Sequence, residues 1–284
     1  MKKNKILTII DKNSVHNQYI LNQLMDDDDF IVANGKDYLF EINEDKFKIY
    51  FHIDNNIIDV DDFKNIVIYS SPCTALLSEK AKQQNINLLN KNLLLSKNIK
   101  LIKSKINQHL FFKQNNIPFL NIINDFNAPE INNYIFKIDY GSFGLGICLP
   151  KDLDSSFYKK IMNKNNTLLE EYVTNKKDYR VILINKKSLG VVYKENKNNK
   201  IVNFYSGAVF HKVDFPELEQ IAEKICNLLD LDYCGIDFVV NDDTKKIYVL
   251  EINFFAKFEG FESVYGKGLI LKKIKEYFGN SVNN

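Results

Sequence analysis

The chain has 284 residues, 45% hydrophobic and 26% charged, and its 38 basic and 36 acidic side chains leave a net charge of +2. That length exceeds one ordinary domain and provides for two or three compact units. A balanced charge without a basic block interleaved with aromatics does not suggest a nucleic-acid binder, and no apolar run approaches the ~18 residues that span a bilayer.

Taken in order, residues 5–10 read as a buried strand. The basic start MKKNKILTIIDK loses its apolar run at Asp11, too short for a signal peptide and suited to a core strand. A helix is expected over 14–25 with Ser14 as N-cap, closed by the acidic run 26–29. Strands at 30–33, 39–42 and 46–53 read as a small meander, and 65–70 as another buried strand. A helix over 71–84 follows, with Pro72 in its first turn. Strands interleaved with two helices predict a small α/β domain over 1–94.

The lysine- and leucine-rich stretch 91–105 leads into a helix over 104–115, with Ile106, Leu110 and Phe111 on one face. Strand 134–139 carries Lys137 and runs into the glycine-rich loop 141–146 (GSFGLG). After a strand at 167–173, a hairpin is expected from 178–184 and 188–195. The helix over 216–230 has Asp214 and Glu217 at capping-box spacing and Pro216 in its first turn. Two runs rich in β-branched and aromatic residues, 233–240 and 247–255, flank the polar segment 241–246 and predict a second hairpin. An amphipathic helix over 268–278 closes the chain, with Gly279 past its end. No internal repeat or long linker is present. Cys73, Cys148, Cys226 and Cys234 form no C-x-x-C pair and read as reduced core residues of a soluble, cytoplasmic protein.

The last hairpin is the most informative stretch. With its turn near Thr244, Asp237 lies across from Glu251, and alternation puts Asn253 on the same face. Facing carboxylates repel unless compensated. A divalent cation would compensate them, the amide oxygen adding a third hard ligand suited to Mg²⁺ or Mn²⁺; the plain alternative turns one carboxylate to solvent or to a lysine. The glycine loop can fold over phosphates through bare backbone N–H groups, or its glycines can serve turn geometry alone. It has neither Walker A nor Rossmann spacing. Lys137 could place an ammonium on phosphate oxygens or be a solvated strand residue. Arg180 is the only arginine, a planar bidentate donor fit for carboxylate or phosphate, or else half of a surface ion pair with its strand neighbour Asp178. His16, His52, His109 and His211 lack metal-ligand spacing and read as structural. No serine–histidine or cysteine–histidine arrangement marks a nucleophile.

In their order these pieces resemble the ATP-grasp enzymes, and within them the RimK-like carboxylate–amine ligases. The residues that carry the resemblance are Lys105 opening a helix that ends in Ile117-Pro118, and Ile135-Phe136-Lys137 followed by GSFGLGI. Further on come Leu168-Leu169-Glu170-Glu171-Tyr172-Val173, Lys177-Asp178-Tyr179-Arg180-Val181, Cys234-Gly235-Ile236-Asp237-Phe238 and Leu250-Glu251-Ile252-Asn253. Phe258-Glu259-Gly260-Phe261-Glu262 is similar to the segment that follows the metal ligands in the RimK-like branch. The match runs from about residue 95 to 280.

The resemblance implies an α/β protein, α+β in its ATP-grasp part. The domain 1–94 would precede a small or lid subdomain over 95–172 with the glycine loop, and a C-terminal subdomain over 173–284 with the metal site. ATP would lie between two β-sheets. Lys105 and Lys137 would contact its phosphates, with Gly141, Ser142, Phe143 and Gly144 closing over them. Glu170, Glu171, Tyr172 and Val173 would line the adenine site, and Asp178 would approach the ribose. Asp237, Glu251 and Asn253 would hold two Mg²⁺ (or Mn²⁺) ions with Glu251 bridging, and Arg180 would be the catalytic residue that binds the reacting carboxylate or its phosphorylated form. The implied reaction joins a carboxylate to an amine through an acylphosphate, with release of ADP, on an amino acid or peptide. The implied partners are ATP and small-molecule or peptide substrates, with no nucleic acid and no membrane; self-association is left open.

Three departures bear on that expectation. The acidic residue often found before the first lysine is Ser104. A small-Pro-Gly turn after the last metal ligand is replaced by Phe254-Phe255-Ala256-Lys257, which implies an altered acceptor pocket. The further phosphate-binding arginine has only Lys194 or Lys200 in its place. They leave open an ATP-grasp kinase acting on a small molecule, and an inactive nucleotide-binding regulator.

Overall fold

A computed structural model describes residues 5–69, 72–96, 100–101, 104–125, 130–139, 149, 167–175, 177–195 and 209–281. The unbroken apolar run ILTII forms β1 (Ile6–Ile10), buried along its whole length. Helix α1 (Gln18–Met25) starts later than the sequence predicts, because Val15–Asn17 wind as a 3-10 turn and Ser14 makes no side-chain cap. Strand β2 (Phe30–Asn34) pairs in parallel with β1. It is therefore no part of the expected meander: Phe30 and Ala33 belong to two different cores, and a strand covered on both faces suits a parallel sheet. The meander is instead β3 (Tyr38–Ile42), β4 (Phe47–Ile53) and the unforeseen β5 (Asn56–Asp59). Strand β6 (Asn65–Ile68) returns to the parallel sheet, followed by α2 (Thr74–Gln83) and β7 (Asn87–Leu88), in the order β2-β1-β6-β7. Pro72 stands ahead of α2 rather than within its first turn.

Helix α3 (Lys91–Leu95) leads towards α4 (Lys105–Gln114), whose N-cap Ser104 accepts a hydrogen bond from the Asn107 N–H at 3.1 Å. The expected apolar face of α4 is not its buried face. Ile106 and Leu110 are exposed, and the helix buries Gln108, His109 and Phe112. Strands β8 (Ile122–Ile123), β9 (Tyr134–Ile138) and β10 (Thr167–Glu171) form a small antiparallel sheet in the order β8-β10-β9.

Strands β11 (Lys177–Ile184) and β12 (Lys187–Glu195) form the expected hairpin, with Asn185 and Lys186 both at positive φ as a two-residue turn requires. After β13 (Phe210–Val213) comes α5 (Pro216–Leu229), with Pro216 in its first turn. The anticipated capping box does not form, since the N-cap is Phe215 without a side-chain bond. Strands β14 (Tyr233–Val240) and β15 (Ile247–Asn253) complete a five-stranded antiparallel sheet, β13-β12-β11-β14-β15. A short helix, α6 (Glu259–Tyr265), was not anticipated, and α7 (Leu269–Ser281) runs through Gly279 instead of stopping before it. No described helix is long and apolar enough to cross a membrane.

The five-stranded sheet is covered on both faces. On one side its Val181, Leu183, Ile236 and Val249 pack with α5 and with Leu101, Phe112 and Ile117 around α4. On the other, Ile182, Ile184 and Tyr233 meet α6, α7 and the α1 face of the parallel sheet in a single core. The parallel sheet's opposite face packs with α2 and the meander. The small sheet has its own core around Phe136 and Leu169.

Candidate active site

The β14–β15 hairpin pairs Asp237 with Glu251, with a bulge immediately beyond Asp237, and pairs Gly235 with Asn253. Asn253 Nδ2 donates to Asp237 Oδ2 at 2.9 Å, so all three oxygen-bearing residues come together. On the adjacent strand β11, Arg180 is paired with Asp237. Its guanidinium holds that carboxylate in a fork, Nε to Oδ1 at 2.6 Å and NH2 to Oδ2 at 2.7 Å, while NH1 reaches the Lys257 carbonyl at 3.4 Å. Two facing carboxylates demand positive charge, and Arg180 supplies it from within the chain. Lys105, at the N-terminus of α4, adds a second cation with Nζ 3.8 Å from Glu251 Oε1. Glu251 is nonetheless half-buried, and this desolvation, with the push of Asp237 and against the pull of Lys105, holds its carboxyl above the usual range.

Among the described residues no three of His, Cys, Asp and Glu converge as a metal site. The donor set here is two carboxylates and an amide, all hard oxygen ligands. A carboxyl held above its usual range beside a second carboxylate fits a divalent cation, which would favour its charged form.

Further along β11, Asp178 lies opposite Lys194 on β12, with Nζ 3.4 Å from Oδ2. Lys194 is 1% exposed. Burial pulls its ammonium below the usual range against the opposing influence of Asp178. Of the two lysines expected to replace an arginine, Lys194 thus faces the site; Lys200 lies outside the described residues, as do Gly141, Ser142, Phe143 and Gly144.

The small sheet contributes Lys137 and Glu170, which share a face as diagonal neighbours of β9 and β10. Lys137 Nζ donates to Glu170 Oε2, and both side chains are buried. Of the other residues expected around a base, Glu171 turns outward and accepts from Asn121 Nδ2 at 2.8 Å, and Tyr172 is 37% exposed. Val173 packs with Leu120 and Val239.

Two residues escaped the sequence reading. Asp139, 4% exposed at the end of β9, accepts from Ser104 Oγ (3.1 and 3.0 Å) and from the Ile106 N–H (2.9 Å). It brings a negative charge to the N-terminus of α4, where the helix dipole favours one, so the acid missing before Lys105 arrives from another strand. His109, assigned a structural role from its spacing, lies within the site, with Nε2 3.3 Å from Glu170 Oε1. Its i+4 spacing from Lys105 was the one available signal.

A family model described as the RimK-like ATP-grasp domain matches residues 79–277. The chain is 31% identical over 160 residues to an uncharacterized protein of Mycoplasma genitalium, covering 55% of each. It is 27% identical over 157 residues to a tetrahydromethanopterin:alpha-L-glutamate ligase of Methanocaldococcus jannaschii, covering 50% of this chain and 53% of that protein. These matches span about half the length of the curated relatives. Among solved structures, the ATP-grasp ligase PsnB complexed with minimal precursor superposes with a TM-score of 0.67 at 15% identity, over 96% of this chain and 98% of that one. D-alanyl-alanine synthetase A from Vibrio cholerae superposes with a TM-score of 0.62 at 14% identity, over 97% and 98%. At these identities the structural likeness is one of fold.

Proposed function

The chain belongs to the RimK-like ATP-grasp family, and we propose that it is an ATP- and Mg²⁺-dependent ligase that joins a carboxylate to an amine and releases ADP. The observation that carries this reading is the cluster of Asp237, Glu251 and Asn253 on one hairpin with Arg180 and Lys105 against it. Asp237, Glu251 and Asn253 would hold divalent cation, which when bound neutralises charge on the transferring phosphoryl group. Lys105 and Lys137 would do the same from the α4 and β9 sides, and Arg180 would keep Asp237 oriented or engage the reacting carboxylate. The substrate carboxylate attacks the γ-phosphorus, ADP departs, and the acylphosphate so formed loses phosphate when an amine attacks it. Such chemistry needs positioning and charge rather than a protein nucleophile.

For the substrate, an amino acid or a peptide is the class favoured. The relative from Methanocaldococcus jannaschii is named as a glutamate ligase, and solved structures of this fold hold a minimal precursor, a precursor peptide, or a leader and core peptide. The altered turn 254–257 borders the metal-ligand strand and is where acceptor choice would be set.

The test is release of ADP and phosphate across a panel of amino acids and short peptides, with mass spectrometry of the products. A new amide is expected. A phosphorylated product stable to amines would replace the ligase reading with a kinase, and ATP binding without turnover on any substrate would replace it with a regulator. Glu251→Gln should retain the fold and lose at least about a hundredfold in rate, the scale of one removed electrostatic contact. Wild-type turnover in that variant would refute the metal assignment.

A further inference from the structure

His109 takes no part in the chemistry set out above, yet it sits between the groups proposed to meet ATP. It is 2% exposed and packed against the rings of Phe119 and Phe112, at centroid distances of 5.8 and 5.9 Å. Its Nδ1 lies 2.8 Å from the Lys105 carbonyl oxygen. That oxygen can only accept, so Nδ1 carries a proton. On the other side, Nε2 faces Glu170 Oε1 at 3.3 Å, and both atoms are buried with no hydrogen-bond partner among the described residues. A neutral ring protonated on Nδ1 would aim its Nε2 lone pair at a carboxylate oxygen. Two buried acceptors facing each other is a costly arrangement, and a shared proton removes the cost. Burial works against a charged Glu170, but the Lys137 ammonium and His109 outweigh it and hold the carboxyl below its usual range. Glu170 already accepts from the Lys137 ammonium on its other oxygen, as a carboxylate does, which leaves the shared proton to the ring.

We propose that His109 is a positioning residue held as an imidazolium, whose Nδ1–H anchors the carbonyl of Lys105 and whose Nε2–H anchors Glu170, which in turn aims Lys137. One side chain thereby ties a lysine of α4 to a lysine of β9, two elements that belong to different cores. The groups that face the ring are the Lys105 carbonyl from α4, the Glu170 carboxylate from β10, and the uncharged rings of Phe112 and Phe119. Lys137 of β9 acts on it through Glu170. Lys137, Glu170 and His109 together carry one net positive charge, which suits a site for a polyphosphate. The functional consequence rests on the proposed use of ATP; the protonation state does not.

Two measurements on the full chain test this. In ¹⁵N-imidazole NMR without nucleotide, at neutral pH, the signals missing from His109→Gln should show both ring nitrogens protonated in the wild type. In Glu170→Gln, Nε2 should lose its proton while the circular dichroism is unchanged. A ring with bare Nε2 in the wild type would overturn the proposal. In turnover, His109→Phe keeps the ring's bulk but donates nothing, and should raise KM for ATP about tenfold with a smaller change in kcat. His109→Gln, which keeps one donor, should fall between the two. A folded His109→Phe with wild-type KM for ATP would also overturn it. Should the wild type turn over no ATP, the ligase reading fails and the NMR result alone decides the role of His109.

Discussion

At Asp237 one carboxylate accepts two hydrogen bonds from Arg180 and one from Asn253. A lysine could not reproduce the planar fork, so the chain's single arginine is placed where bidentate geometry matters most. A few residues on, Lys257 is the polar member of the apolar turn 254–257. Burial pulls its ammonium down to about 8 from 10.5, against the attraction of Glu259. The sign of the resulting pH dependence follows from proton counting. Between about 8 and 10.5 the unfolded chain holds this proton and the folded chain has released it, so stability rises with pH across that window. Below about 8 both states are protonated and the full cost of the enclosed ammonium remains. Lys257→Met should flatten the rise and stabilise the protein at neutral pH by about 1 kcal/mol, solvent screening keeping the gain modest. Denaturant titrations at neutral and alkaline pH check both, and an unchanged slope would show that Lys257 is not the group responsible.

Between elements, buried amides act as struts. Asn90 is fully buried at a left-handed φ of 60° just before α3. Its Nδ2 donates to the Tyr233 and Phe254 carbonyls at 2.8 and 3.0 Å, and its Oδ1 accepts from the Asp232 and Tyr233 N–H groups at 2.8 and 2.9 Å. It joins the segment between β7 and α3 to both ends of the β14–β15 hairpin. Gln108 does the same from α4, accepting from the Ile252 N–H at 2.8 Å and donating to its carbonyl at 3.1 Å, directly between Glu251 and Asn253. Asn90→Ala would orphan four backbone groups at once and should cost about 3 kcal/mol or more. Urea unfolding measures this; a loss below about 1 kcal/mol would mean water replaces the amide without penalty. Asn90→Asp should not rescue, since a carboxylate cannot donate to the two carbonyls.

For the whole molecule, the first and last parts of the chain share one core, in which Ile10, Leu24 and Phe30 meet Tyr233, Phe258 and Ile274. The parallel sheet and the five-stranded sheet are thus expected to unfold together, while the small sheet, with its separate core of Phe136 and Leu169, is held less firmly. ATP bound with Mg²⁺ across these parts would stabilise the folded chain by mass action. At a hundred times its dissociation constant the gain is about 2.7 kcal/mol. Thermal unfolding should therefore shift upward with ATP and Mg²⁺ together, and much less in Glu251→Gln. No shift in the wild type would contradict nucleotide binding.

What could be read from the sequence is whatever depends on near neighbours in the chain. The pairing of Asp237 with Glu251 follows from strand parity across a short turn, and the order of Lys105, Lys137, Arg180 and Asn253 is written along the chain. Where the local pattern misled, distant partners had intervened. Ile106 and Leu110 looked like the inner face of α4, but the helix turns Gln108 and His109 inward, where the Ile252 backbone meets the Gln108 amide and the Lys105 carbonyl meets His109 Nδ1. Asp139 replaces an acid the sequence lacks at Ser104, from 35 residues away. Asn90 finds its partners 142 to 164 residues along. A buried polar side chain is tolerable only when its hydrogen bonds are met. Which residues can meet them is decided when the sheets and α4 pack together, so the carboxylate hairpin was legible in advance and the lattice that aims it was not.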